Sequence, residues 1–105
     1  MQYASQVKKT FSYEEAAELL PEVQRLTTGA VQEVDALASD APRDEAQQIV
    51  GRWAESVMGL GIDVKGVWLV DFDNGSGYYC WRYPEDGLQF YHSYEDGFRG
   101  RMRIQ

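Results

Sequence analysis

Apolar residues recur at spacings of three and four in the first half of the chain, and at strand-like spacing in the second. Val23, Leu26, Ala30, Val31, Val34, Leu37 and Ala38 form one helical stripe, with Glu22, Arg25, Glu33 and Asp35 outside it. A second stripe, Ala46, Ile49, Val50, Trp53, Val57 and Leu60, follows Asp44 and Glu45, which suit the positive end of a helix dipole. Ser39-Asp40-Ala41-Pro42 separates the two helices, and Gly59 and Gly61 supply left-handed positions at which helices end. So short a link predicts an antiparallel helical hairpin. Upstream, Ser12 and Glu15 have capping-box spacing, and Phe11 is placed as a hydrophobic staple against Ala16. Pro21 lacks a donor and biases Leu20 away from helical angles. A short helix to about Leu20, then a kink or a fresh start, is therefore expected.

Beyond Gly61 the pattern predicts strands over 67–72, 78–83 and 88–93. They are separated by the turn signals Asp73-Asn74-Gly75-Ser76-Gly77 and Pro84-Glu85-Asp86-Gly87. Sequential hairpins make a three-stranded antiparallel meander the simplest sheet. If Tyr83 pairs with Leu88, Trp81 faces Phe90 and Tyr79 faces His92, giving an apolar face to pack on the helices. The opposite face then carries Tyr78, Cys80, Arg82, Gln89 and Tyr91. The faces of Trp68 and Val70 depend on the first turn's register, which the pattern leaves open. The expected fold is α+β: a helical hairpin with a short kinked N-terminal helix, packed on the meander, and an irregular C-terminal tail. One domain spans 1–105, with 1–10 flexible, 11–60 helical, 62–93 sheet and 94–105 tail.

A length of 105 residues with 44% hydrophobic composition suits a single core, and 26% charged with 13% aromatic residues is not a disordered composition. Apolar runs are too short to cross a bilayer, and no apolar run follows Lys8 and Lys9, so no secretory leader is expected. One cysteine excludes an intrachain disulfide framework and a multi-cysteine zinc site, so a cytoplasmic location is expected. The net charge of −7 argues against a general nucleic-acid or anionic-membrane binder. That charge is uneven: acids dominate the helical half, whereas Arg99, Arg101 and Arg103 close the chain.

Phe11 with Glu15, Ala16, Leu19, Leu20 and Pro21, then Gly61, Val64 and Lys65, then Leu69-Val70-Asp71-Phe72 form a recognisable series. Its most specific part is Cys80-Trp81-Arg82, followed by His92 and Gly97-Phe98-Arg99-Gly100-Arg101. In these residues the chain resembles a bacterial family of uncharacterised proteins, domain-of-unknown-function family 2203. It departs from the family pattern at Arg99, at Tyr83-Pro84 and at Tyr91, and its first turn looks shorter. The resemblance implies no activity.

Several residues invite chemistry. Asp71-Phe72-Asp73-Asn74-Gly75 has paired acids but fails the calcium-loop pattern, with Gly75 fifth and Arg82 twelfth, so it reads as a hairpin turn. Cys80 and His92 suggest a nucleophile–base pair or metal ligands, but the expected pairing puts them on opposite faces, and a metal needs further ligands. No metal or cofactor is expected. His92 reads first as a structural residue bonded to a carbonyl or a carboxylate. The tail arginines suit docking on the chain's own acidic helices, or on a partner's, and Arg82 and Arg101 alternatively suit forked recognition of an anion. The leading expectation is a self-associating, homodimeric or partner-binding module whose uncovered face carries Tyr78, Cys80 and Tyr91. The alternative is a small anionic-ligand binder or enzyme using Arg82, His92 and Arg101, with Asp71.

Overall fold

A computed structural model describes residues 9–104. The fold is α+β. Helix α1 spans Tyr13–Asp35 and α2 spans Arg43–Met58. An antiparallel sheet follows, in the order β1 (Asp63–Gly66), β2 (Leu69–Asp73), β3 (Gly77–Arg82), β4 (Phe90–Ser93) and β5 (Met102–Arg103). No helix among the described residues is long and apolar enough to cross a membrane. The flexibility expected of 1–10 falls on residues that, apart from Lys9 and Thr10, lie outside the described ones.

The predicted capping box is present, with Ser12 and Glu15 each accepting from the other's backbone N–H at 3.0 and 2.9 Å. The expected break at Pro21 is not. Helix α1 runs through it unbroken. Proline inside a helix costs about 3 kcal/mol. Ala16, Leu20, Val23, Thr27 and Ala30 nevertheless form one buried face that continues across Pro21, which itself points to solvent. Burying side chains such as Leu20 and Val23 stabilises by about 1.5–3 kcal/mol each, enough to override the local preference. The two helices meet around a buried polar pair. Trp53 Nε1–H donates to Thr27 Oγ1 at 2.8 Å, and that hydroxyl donates to the Val23 carbonyl at 2.7 Å.

The sheet has five strands, not the expected three. Residues 67–68 form a tight turn that leaves 63–66 free to pair with β2. Trp68 occupies the left-handed region at φ 63°, and its ring packs edge-on against Trp53 at 4.9 Å. At the far edge, the tail supplies the short β5 on β4.

The register of β4 differs from expectation by one residue. Cys80 pairs with Phe90, Tyr79 with Tyr91 and Tyr78 with His92, in place of Trp81 with Phe90 and Tyr79 with His92. The cause is the connection between β3 and β4, which is not a four-residue turn. Residues 83–89 fold over the end of β3: Trp81 Nε1–H donates to the Glu85 carbonyl, the Glu85 N–H to the Arg82 carbonyl, and Leu88 enters the core. Because side chains alternate, one residue of slip exchanges the two faces of β4. Val70, Phe72, Trp81, Tyr79 and Tyr91 therefore lie on the helix side, where Tyr79 meets Tyr13 of α1. Leu69, Asp71, Asp73, Tyr78, Cys80, Arg82, Phe90 and His92 share the outer side.

Candidate functional site

Strand β2 is buried on both faces, but only one of them is apolar. Val70 and Phe72 join the core beneath the helices, while Asp71 and Asp73, at 2% and 3% exposure, are buried on the outer side. Carboxylates are rarely buried this fully without partners. For Asp73, Oδ1 accepts from the Gly75 N–H within the hairpin turn and from the hydroxyl of Tyr94 in the tail at 2.7 Å. The segment 71–75 is thus strand and hairpin turn, as its composition suggested.

Asp71 is held differently. Its Oδ2 lies 2.9 Å from His92 Nε2 and 3.3 Å from Lys65 Nζ. Its Oδ1, also buried, has no hydrogen-bond partner among the described residues. Leaving a buried carboxylate oxygen unmatched is costly, yet Lys65 and His92 are both spent on the other oxygen, and the weak thiol donor of Cys80 is the further group that interacts with this carboxylate. The Cys80 thiol sits beside the same carboxylate. One ligand atom from each of Asp71, Cys80 and His92 lies within 4.8 Å of the others, and all three residues are buried.

His92 bonds both a carboxylate and a backbone carbonyl, the two partners its structural role predicted. Nδ1 is 2.8 Å from the Ser93 carbonyl oxygen, which can only accept, so Nδ1 carries a hydrogen. Nε2 is hydrogen-bonded to Asp71 Oδ2. With both ring nitrogens engaged, His92 has none left to activate the Cys80 thiol. Burial first, then the neighbouring Asp71 carboxylate, pushes that thiol up to about 12, against a smaller opposing pull from Arg101. A neutral thiol is a poor nucleophile, so the cluster is not a Cys–His–Asp catalytic triad at neutral pH. Burial pulls the Lys65 ammonium down, but the Asp71 carboxylate first and then the Tyr78 hydroxyl outweigh this, and its net shift is upward.

The tail closes over this face. Tyr94 packs edge-on to Tyr78 at 5.1 Å, Arg82 lies over the Phe98 ring, and Arg101 stacks between the rings of Phe90 and Phe98 at 4.0 and 4.1 Å. A cleft of about 280 Å³ remains between sheet and tail, with Asp71, Cys80 and His92 on its floor and residues 94–98 along its rim.

The predicted residues are thus only partly brought together. Asp71 and His92 meet, and the expectation that Cys80 and His92 point to opposite faces is overturned by the register. Arg101 reaches the edge of the cluster, 3.9 Å from Cys80 Sγ, but its charge is met by Glu85 at 2.9 Å. The tail therefore docks on the β3–β4 loop, not on the acidic helices. Arg82 is exposed and outside the cluster. Of the expected interface residues, Tyr78 and Cys80 are buried on the outer side, while Tyr91 lies on the opposite face. Lys65 was missed: Ile62-Asp63-Val64-Lys65 does alternate apolar and polar, but the run is only four residues long and ends at Gly66.

No curated protein and no solved structure matches the chain. A family model described as an uncharacterized conserved protein, DUF2203, matches residues 9–104, so the chain belongs to that family.

Proposed function

We propose that this protein is a small binding domain whose ligand sits in the cleft between the outer face of the sheet and the C-terminal tail. The observation that carries this reading is the buried, unmatched Oδ1 of Asp71 at the cleft floor. A buried carboxylate oxygen without a protein partner is ordinarily matched by ordered water or a bound ligand, and Asp71 lines a cleft that can admit either. The rest of the site supports binding more than turnover: the thiol is held neutral, and both nitrogens of His92 are already bonded. Self-association draws less support, because the face that would have driven it is occupied by residues 94–101 of the same chain. Recognition of an anion by Arg82 and Arg101 also draws less, since Arg101 is paired with Glu85 and Arg82 lies apart.

The test is a backbone amide NMR titration with zinc chloride, sodium phosphate and sodium acetate as separate probes. At least one probe should saturably shift amides of Lys65, Asp71, Cys80, His92 and residues 94–98, leaving α1 and α2 largely unmoved. If all of the probes leave the cleft amides unshifted, or if those amides move only with protein concentration, the reading fails.

A further inference from the structure

We propose that the cleft's ligand is a divalent transition-metal ion of the zinc class, held by Asp71 Oδ1, Cys80 Sγ and His92 Nε2. This rests on the reading that the cleft takes a ligand and goes further by naming its chemistry.

The donor set carries the argument. A thiol sulfur, an imidazole nitrogen and a carboxylate oxygen together suit zinc and its neighbours in the first transition row, and suit magnesium or calcium poorly. One ligand atom from each of the three residues already lies within 4.8 Å of the others. Ligand atoms around a tetrahedral ion stand roughly 3.3–3.8 Å apart for metal–ligand distances of about 2.0–2.3 Å. Reaching that spacing calls for side-chain adjustment, with the strands in place.

The surroundings are arranged as metal ligands require. A coordinating histidine usually donates its second N–H to a carbonyl or carboxylate, which fixes the tautomer and aims the other nitrogen. The Nδ1–H bond to the Ser93 carbonyl does this for Nε2. Asp71 is divided in the same way: Lys65 lies on Oδ2, leaving Oδ1 to accept a cation. Binding releases the Cys80 thiol proton to solvent and replaces the hydrogen bond between His92 Nε2 and Asp71 Oδ2. The bound ion then faces a thiolate and a carboxylate, which balance its two charges. Three protein ligands leave one position of a tetrahedral ion open towards the cleft, for water or a small molecule.

The charges facing the site also include cations, Lys65 from β1 and Arg101 from the tail, together with Glu95 and Asp96 on the rim. Lys65 distinguishes the possible ligands. Its ammonium opposes a bound cation and would favour a bound anion. Lys65→Gln should therefore tighten metal binding severalfold, whereas an anion site would weaken.

Cobalt(II) is a suitable probe, because thiolate ligation gives a near-ultraviolet charge-transfer band and a tetrahedral site gives intense visible absorption. The full chain, stripped of metal with a chelator, should develop both signals to saturation at one cobalt per chain, and zinc should displace them. Cys80→Ser should abolish the charge-transfer band, and Asp71→Asn should weaken affinity at least about tenfold, the loss that changes beyond the direct ligands alone produce. Circular dichroism of each variant separates lost binding from lost fold. A wild-type protein that shows no charge-transfer band with excess cobalt overturns the proposal without reference to any variant. If the amide titration meanwhile shows phosphate or acetate in the cleft, the binding reading stands and only the metal is wrong. If no probe binds, both fall.

Discussion

At the scale of single residues, Cys80 is the most informative position. It is buried beside a carboxylate, and its thiol is raised from an ordinary 9.0 to about 12. Between those values the unfolded chain has lost the thiol proton and the folded chain keeps it. Stability contributed by the neutral thiol is thus complete below pH 9.0 and is lost as pH rises towards about 12. The slope is at most about 1.4 kcal/mol per pH unit. In metal-stripped protein, urea denaturation should show a fall from pH 9 to 10.5 that is shallower in Cys80→Ala. Equal slopes in the two proteins would mean that the thiol is not held neutral by the fold. None of this was legible from the residue alone. Cysteine on a strand beside Trp81 reads as an ordinary buried side chain. Only the one-residue register places Asp71 and His92 on its face.

At the scale of elements, sequence pattern located both helices and the hairpin turn at 73–77, because each is specified locally by stripe, cap or turn chemistry. It misjudged Pro21 and the β3–β4 connection because both are decided by packing. In α1 a continuous buried face overrides the missing donor. In the 83–89 connection, Leu88 entering the core and Glu85 bonding back to β3 set the register that turn composition alone leaves open. The first of these judgements can be measured. Since Pro21 is exposed and inside a regular helix, Pro21→Ala restores a backbone donor without disturbing the core. It should stabilise the protein by about 1–3 kcal/mol, the helix gain being partly offset by a more flexible unfolded chain. A loss of stability in urea would show that the proline has a role the helix geometry does not reveal.

At the scale of the whole molecule, the aromatic core joins the helices to one side of the sheet, and the tail caps the other through Tyr94, Phe98 and Arg101. The resulting site is assembled from β1, β2, β3 and β4, and no local window of sequence contains it. Arg101 links the tail to Glu85 and to two aromatic rings, so Arg101→Met should loosen the tail while the helices stay intact. Hydrogen exchange should quicken for amides 94–103 and remain near wild type in α1 and α2. Unchanged tail exchange would show that Arg101 is not what holds the tail.

The most direct measurement of the central claim uses the fact that the chain has a single histidine. Long-range proton–nitrogen NMR of the His92 ring, recorded with and without one equivalent of zinc, reports on both ring nitrogens without ambiguity. Nδ1 should keep its hydrogen and its bond to Ser93, while the Nε2 resonance moves to that of a metal-bound nitrogen. A ring whose two nitrogens are unchanged by excess zinc would contradict the claim.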